Sequence, residues 1–416
     1  MTTFRKLAEA FAALEKTRSR LQMVQLLATL FDAVTKEEIQ PAVYLLQGRL
    51  GPSYDAPDFG ISEKLTTRVV AQLLDRSQTD VEAEYRKLGD HGLVVEKLMG
   101  KKTTLKGRTT SLTIQEVYDR LLELAEAAGQ GSVEKKIGAL VTLLQRASPL
   151  EGKYLLRIPM GRMRLGVGDA TILDGLSRAK SVARPIIERA YNLCSDLGLV
   201  AKTLYSGGER ALKRFEVRVG RPIKMQFAER VKNLDELVRR LGTCSVEPKY
   251  DGFRCQIHKD GTKVRVFSRN QEDTTAMFPD LVRATVAQVR PARAILEGEA
   301  LAYDPETDEF QPFQVTVQRK RVYGIDAMQQ QLPLRLNAFD LLYADGDDFT
   351  ARPYRERRAA LEKMLKKGSG LALAPALVSG DARTIEEFFQ AQLGAGLEGI
   401  VAKRIDSVYE AGKRNF

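Results

Sequence analysis

Apolar residues in the first half of the chain recur at helical spacing. In SRLQMVQLLATLFDAV they are Leu21, Val24, Leu27 and Phe31, and in VEKKIGALVTLLQRA they are Ile137, Leu140, Val141 and Leu144. A three-to-four-residue repeat marks one buried face of a helix. The segment TIQEVYDRLLELAEAAG opens on Thr113 with Glu116 three residues later, the spacing of a capping box, and Gly129 falls where that helix should stop. Further helical runs are expected over 64–75, 81–98, 170–180 and 184–205.

The pattern changes near residues 218–230, where RVGRPIKMQFAERV carries Gly220 and Pro222 and reads as a linker. Beyond it the apolar residues alternate. Runs at 252–258 and 263–268 flank Lys259-Asp260-Gly261-Thr262, and Asp-Gly between alternating runs predicts a hairpin. Further strands are expected at 294–303, 311–319, 334–344 and 399–405, with helices at about 279–290, 353–366 and 384–393. The expected fold is multidomain. An all-α N-terminal domain (1–217) precedes a mixed α/β domain (218–416) built mainly on antiparallel sheet.

Composition narrows the chemistry. A length of 416 residues favours two or three domains, and an apolar fraction of 44% suits a globular chain. No run of ~18 apolar residues offers a membrane span, and MTTFRKLAEAFAALEK lacks the apolar core of a secretory signal. The expected location is therefore cytoplasmic, with the nucleoid if the source is prokaryotic. Cys194, Cys244 and Cys255 form no CxxC pair, and His91 and His258 are the sole imidazoles. Zinc ribbons, disulfide frameworks and His-based triads are thus disfavoured, so catalysis must rest on Lys, Arg, Asp and Glu. The net charge of +11 is uneven: 34 basic against 26 acidic residues in 1–220 gives +8, leaving +3 for the rest. That excess suits a polyanionic partner or simply a basic surface.

Gly394, Gly396 and Gly399 spell GxGxxG, yet a helical run precedes them and a strand follows. A dinucleotide loop needs the reverse order, so these glycines are read as a helix stop. The stronger signal is Glu247-Pro248-Lys249-Tyr250-Asp251-Gly252-Phe253-Arg254. If extended, it places Glu247, Lys249 and Asp251 on one face, and Asp-Gly is positioned to break the register and leave Lys249 beside a cleft. A lone lysine beside a turn is ordinarily just solvated.

Lys-x-Asp-Gly-x-Arg resembles the nucleophile motif of covalent nucleotidyltransferases, namely DNA ligases, RNA ligases and capping enzymes. Other elements of that superfamily follow in order: Ser268-Arg269-Asn270, Glu297-Gly298-Glu299, Phe339-Asp340-Leu341-Leu342 and Glu398-Gly399-Ile400-Val401-Ala402-Lys403. The first half adds Glu151-Gly152-Lys153-Tyr154-Leu155, Gly161-Arg162-Met163-Arg164-Leu165-Gly166-Val167-Gly168, Arg189-Ala190-Tyr191-Asn192 and Ser195-Asp196-Leu197-Gly198. These resemble the helical DNA-binding domain of archaeal and eukaryotic replicative-type ATP-dependent DNA ligases, a domain that RNA ligases and capping enzymes lack.

The resemblance implies nick sealing in duplex DNA, in replication, repair and recombination, through a lysyl-AMP intermediate on Lys249. It implies ATP and Mg²⁺ (or Mn²⁺) as cofactors. Glu398 and Glu299 are expected at the metal. Arg254, Arg269 and Glu299 are expected at the ribose or phosphates, with Lys403 and Arg414 also at the nucleotide. Phe339 is expected to stack on adenine and Glu247 to accept from its amino group. Lys101, Lys102, Lys106, Arg108, Arg162 and Arg164 are candidate phosphate contacts, a chemistry that ignores sequence. Implied partners are nicked DNA and a sliding clamp, met by a monomer. The alternatives are an RNA-end ligase or capping enzyme, and a catalytically silent nick binder.

Two departures stand out. Lys224-Met225-Gln226-Phe227-Ala228 replaces the family's Pro-Met-Leu-Ala, and Glu297 stands where aspartate is commoner. Gly412-Lys413-Arg414-Asn415-Phe416 resembles the approach to a further motif bearing Trp and two lysines. The resemblance therefore implies a truncated form that lacks the OB-fold domain and adenylates weakly.

Overall fold

The computed structural model describes residues 1–101, 111–307, 309–319 and 324–415. The chain divides into two compact units, one of Met1–Tyr191 with Asp196–Phe215 and one of Asn192–Ser195 with Glu216–Phe416.

The first unit is helical. Among the described residues, twelve helices run from Phe4–Lys16 to Leu197–Lys213. The opening helix buries Phe4, Leu7, Ala8, Phe11 and Leu14, one stripe at helical spacing. Thr113 does cap the helix Ile114–Glu126, accepting from Glu116 N at 3.1 Å. The Glu116 carboxylate also pairs with Arg146 at 3.2 Å. A complete capping box forms at Ser148 and Glu151, with Pro149 in the first turn of Pro149–Arg157. That helix carries two buried cations. Lys153 pairs with Glu15 at 2.8 Å, and Arg157 pairs with Asp90 and Glu15 at 3.1 Å each. Removing one partner would strand a buried charge.

Two helical runs expected to be continuous are broken. The 81–98 run becomes Gln78–Leu88 and His91–Lys101. Gly89 turns left-handed at φ +64°, and Asp90 accepts from Leu93 N at 3.0 Å to start the next helix. The 184–205 run splits into Arg184–Cys194 and Leu197–Lys213, with Asp196 accepting from Leu199 N at 2.9 Å. In both cases an Asx cap outcompetes helix continuation.

The second unit holds eleven strands among the described residues: β1 (Phe227–Ala228), β2 (Cys244–Pro248), β3 (Phe253–Asp260), β4 (Lys263–Ser268), β5 (Arg293–Ala302), β6 (Leu334–Ala344), β7 (Asp347–Asp348), β8 (Leu371–Leu373), β9 (Leu377–Ser379), β10 (Ile400–Arg404) and β11 (Arg414–Asn415). They form a six-stranded sheet in which β4-β3-β5-β6-β7 lie in order and β8 pairs β6, a three-stranded sheet β10-β2-β9, and a parallel pair β1–β11. All pairings are antiparallel except β1–β11 and β6–β8. The hairpin expected at Asp260-Gly261 joins β3 to β4.

One face of the six-stranded sheet packs Cys255, Ile257, Leu296, Ala338 and Leu341 against Phe278, Leu281, Leu361 and Met364. A smaller core of Leu237, Cys244, Val246 and Ile385 backs the three-stranded sheet. The strand expected at 311–319 is instead the helical turn Phe313–Thr316 followed by a 3₁₀ turn, Val317–Arg319. The Pro312 carbonyl accepts from Val315 N and Thr316 N at 2.9 and 3.0 Å. Thr316 and Arg319, three residues apart, both turn inward, the spacing of a helical turn rather than a strand.

Gly298 lies mid-strand in β5. A Cβ there would meet Asn337 O and Leu336 Cγ at 2.8 Å each. Gly298→Ala should therefore cost roughly 1–3 kcal/mol through overpacking. Urea denaturation midpoints check this, and an unchanged midpoint would contradict the tight approach.

Candidate active site

β2 and β3 are consecutive in sequence yet belong to different sheets. The chain crosses between them over Lys249–Gly252. The ladder with the β10 side extends one step past β2, through Lys249 N to Gly399 O (2.8 Å) and Glu398 N to Lys249 O (3.1 Å). Gly252 then passes so close to Ala300 O that a Cβ would lie 2.5 Å from it. The Asp251-Gly252 step thus does break the register, and its glycine permits the contact that starts β3.

A cavity of about 600 Å³ opens at this crossing. Its lining draws Glu247 from β2, Lys249 from the crossing, Arg254 from β3, Arg269 just past β4, Glu299 from β5, Phe339 from β6, Glu398 and Lys403 at and in β10, and Arg414 from β11. All nine residues expected at the nucleotide or metal are therefore brought together. Arg162 and Arg164 lie in the helical unit, on the loop after Pro149–Arg157. They are half exposed, and pair with Glu63 at 2.8 Å and Asp90 at 3.4 Å. Lys101 ends the helix His91–Lys101. Lys102, Lys106 and Arg108 lie outside the described residues.

The Lys249 ammonium contacts the Glu398 carboxylate directly, and both side chains are exposed. Glu247 is buried at 3% exposure. Its Oε2 pairs with Lys403 Nζ at 2.7 Å, and its Oε1 accepts from the Tyr354 hydroxyl. Lys403 Nζ lies 4.5 Å from the Phe339 ring centroid, and the Arg254 guanidinium 5.4 Å from it.

Arg254 is held from behind. Its Nη2 pairs with Glu297 at 2.8 Å and its Nη1 donates to Gln226 O at 2.7 Å, while its buried Nε has no hydrogen-bond partner among the described residues. Glu297, fully buried, also accepts from Gln256 Nε2 (2.9 Å) and the Tyr409 hydroxyl (3.0 Å). Gln256 in turn bonds Ile223 N and O at 2.8 and 3.0 Å. His258 Nδ1 accepts from Gly220 N at 2.9 Å, so its Nε2–H donates to Gln256 Oε1 at 2.9 Å. Burial pushes the His258 imidazole down to about 3, so it stays neutral. Arg254, Gln256, His258, Glu297 and Glu299 share the sheet face opposite the apolar core. Segment 220–226 and Tyr409 cover the inner part of that face, and Arg254 and Glu299 remain at the cavity.

Glu299 stands apart electrostatically. Burial, aided by Asp251, pushes its carboxyl up to about 7, against the pull of Arg254, Lys249 and Arg269. Tyr354, Tyr409, Gln256 and Arg357 were not found from sequence. Tyr354 lies 107 residues from its partner Glu247, and no local spacing signals such a pair. Arg357, one turn along the helix Tyr354–Met364, is buried against Asp340 at 2.7 Å.

A lysine beside a cavity of this size, lined by cations, carboxylates and aromatic rings, defines, with this antiparallel sheet, a nucleotidyltransferase-type domain. A family model described as "ATP dependent DNA ligase domain" matches residues 225–416, and one described as "DNA ligase N terminus" matches residues 3–177. A "Probable DNA ligase" of Dictyoglomus thermophilum is 49% identical, covering 99% of this chain and 70% of that protein. A "DNA ligase" of Staphylothermus marinus is 40% identical over 99% of this chain and 72% of its own length. A solved structure named "Pmar-Lig_Pre." covers 98% of this chain and 76% of its own, with a TM-score of 0.52 at 15% identity, a likeness of fold. The chain belongs to the ATP-dependent DNA ligase family. It spans about 70% of the length of these two relatives. The helical match favours this family over RNA-end ligases and capping enzymes. Among the described residues no helix is long and apolar enough to cross a membrane.

A carboxyl raised in the folded state stabilises at low pH, and that contribution is lost as pH climbs from its ordinary 4.5 through about 7. In chelator-treated buffer, Glu299→Gln should therefore be more stable than the parent at pH 8, by roughly 1–3 kcal/mol. The two should converge near pH 4. Denaturant midpoints at both pH values check this, and a gap independent of pH would contradict it.

Proposed function

We propose that this chain seals nicks in duplex DNA through an adenylated Lys249. The observation that supports the reading best is the convergence of nine chemically apt residues, from separate segments, on one cavity. In the first step Lys249 Nζ, having given up its proton, attacks the α-phosphorus of ATP. A P–N bond forms, the bond to the β-phosphate oxygen breaks, and pyrophosphate leaves. In the second, a 5′-phosphate oxygen of the nick displaces the lysine and takes the AMP. In the third, the 3′-hydroxyl attacks that 5′-phosphorus, closing the strand and releasing AMP.

Each step builds charge on phosphate oxygens. Arg254, Arg269, Lys403 and Arg414 supply fixed positive charge to meet it. Arg254 is the most preorganised of these, because Glu297 and the Gln226 carbonyl hold its fork. Arginine could not replace Lys249, since guanidinium keeps its proton. Phe339 offers an apolar ring for the base.

Glu299 and Glu398 are the residues that would hold Mg²⁺ or Mn²⁺. Their oxygen-only donors fit a hard cation, and no cluster of three or more acidic, His or Cys ligands occurs among the described residues. Bound there, the ion supplies Lewis-acid stabilisation of the phosphates. Glu398 contacts the Lys249 ammonium directly and so holds the amine at the cavity.

We assign residues 1–217 to holding the duplex and 218–416 to adenylation. Arg162 and Arg164, exposed on a helical-unit loop, meet phosphates rather than bases.

Lys249→Ala should abolish covalent labelling by α-labelled ATP, read by denaturing electrophoresis, while leaving nicked-duplex affinity nearly unchanged. A label retained by the variant would contradict the assignment. The double variant Arg162→Ala, Arg164→Ala should flatten the log K against log[salt] slope for nicked duplex by about 2. An unaltered slope would remove these arginines from the interface.

A further inference from the structure

Tyr354 is the first residue of its helix and is 1% exposed. Its backbone N donates to Ser407 O at 2.9 Å. Arg357, one turn on, is locked to Asp340 and donates to Ser407 O at 2.9 Å. The ring therefore has little freedom. Its hydroxyl donates to Glu247 Oε1 and lies 3.3 Å from Phe339 O. Lys403 Nζ lies 4.7 Å from the Tyr354 ring centroid and holds the other Glu247 oxygen. Tyr354, Glu247, Phe339 and Lys403 all line the cavity.

A carboxylate offers about four lone-pair directions and no donor. With one direction of each Glu247 oxygen filled by a fixed donor, the remaining ones can only accept. We propose that Tyr354 is the positioning residue for base choice: its hydroxyl locks Glu247 as a pure acceptor, so the cavity takes a purine bearing an exocyclic amino group at C6 and rejects one bearing an oxo group there. This rests on the reading of the cavity as an ATP site. Burial and Glu247 push the Tyr354 phenol up, so the hydroxyl keeps its proton across the working range and remains a donor. Sequence spacing gives no hint of the pair, and Tyr354 stands outside every motif matched above.

Removing the hydroxyl leaves Glu247 Oε1 buried and free to turn. A merely structural loss would weaken all nucleotides alike. A lost lock weakens ATP selectively, because only the 6-amino group uses the oriented acceptor. The test is titration calorimetry of ATP and GTP on the whole chain and on Tyr354→Phe, with thermal melts confirming folding. The expected result is a fall of about tenfold or more in the ATP-over-GTP affinity ratio, the worth of one charge-assisted hydrogen bond. An unchanged ratio, or equal weakening of both nucleotides, overturns the proposal. Glu247→Gln keeps both neighbours but introduces an N–H, and it should also collapse the ratio. If it keeps the parent ratio the proposal fails, whatever Tyr354→Phe does. A parent chain that binds neither nucleotide would instead bring down the ATP-site reading itself.

Discussion

Between Pro248 and Phe253 the backbone leaves one sheet and enters another, and the rest of the site is arranged around that step. A strand that changes sheets must keep its polar groups paired on both sides. Here Lys249 completes the three-stranded ladder through Gly399 and Glu398. Gly252 then passes close against Ala300 to begin the six-stranded one. The side chain at the step is therefore excluded from both cores and faces the space between the sheets. A nucleophilic amine can be presented there without being buried, while strand ends from each sheet deliver cations and carboxylates to it.

The second constraint is the polar layer behind the cavity. Gln256, His258 and Glu297 are almost wholly buried, and every one has its partners among segment 220–226, Tyr409 and Arg254. Satisfied in this way, a buried polar network fixes geometry rather than costing stability outright. Its cavity-facing member is Arg254, whose guanidinium is aimed by Glu297. A strong, preorganised positive group at the phosphates follows from packing far behind it.

The order of the nucleotidyl motifs was legible because each is a short run of particular residue types carried on or beside a strand, and strands survive in the sequence as alternation bounded by turn residues. The β3–β4 hairpin, β5, β6 and β10 could be read in the same way. Other features left no local trace. Alternation in β3 gives a polar face but not what covers it, so the burial of Gln256 and His258 was invisible. The turn at 311–319 carries β-branched residues and reads as strand until Pro312 caps it. Tyr354 and Tyr409 act on carboxylates more than a hundred residues away, a distance at which spacing carries no information. The sheet change itself was legible only as a suspected break at Asp251-Gly252.

The account stands on one amine at the sheet crossing becoming the carrier of adenylate. Peptide mapping by mass spectrometry, after incubation of the protein with ATP and Mg²⁺, addresses this without any substitution. The AMP adduct is expected on the peptide that contains Lys249 and at that side chain. An adduct on another lysine, or none on any peptide, would contradict the account.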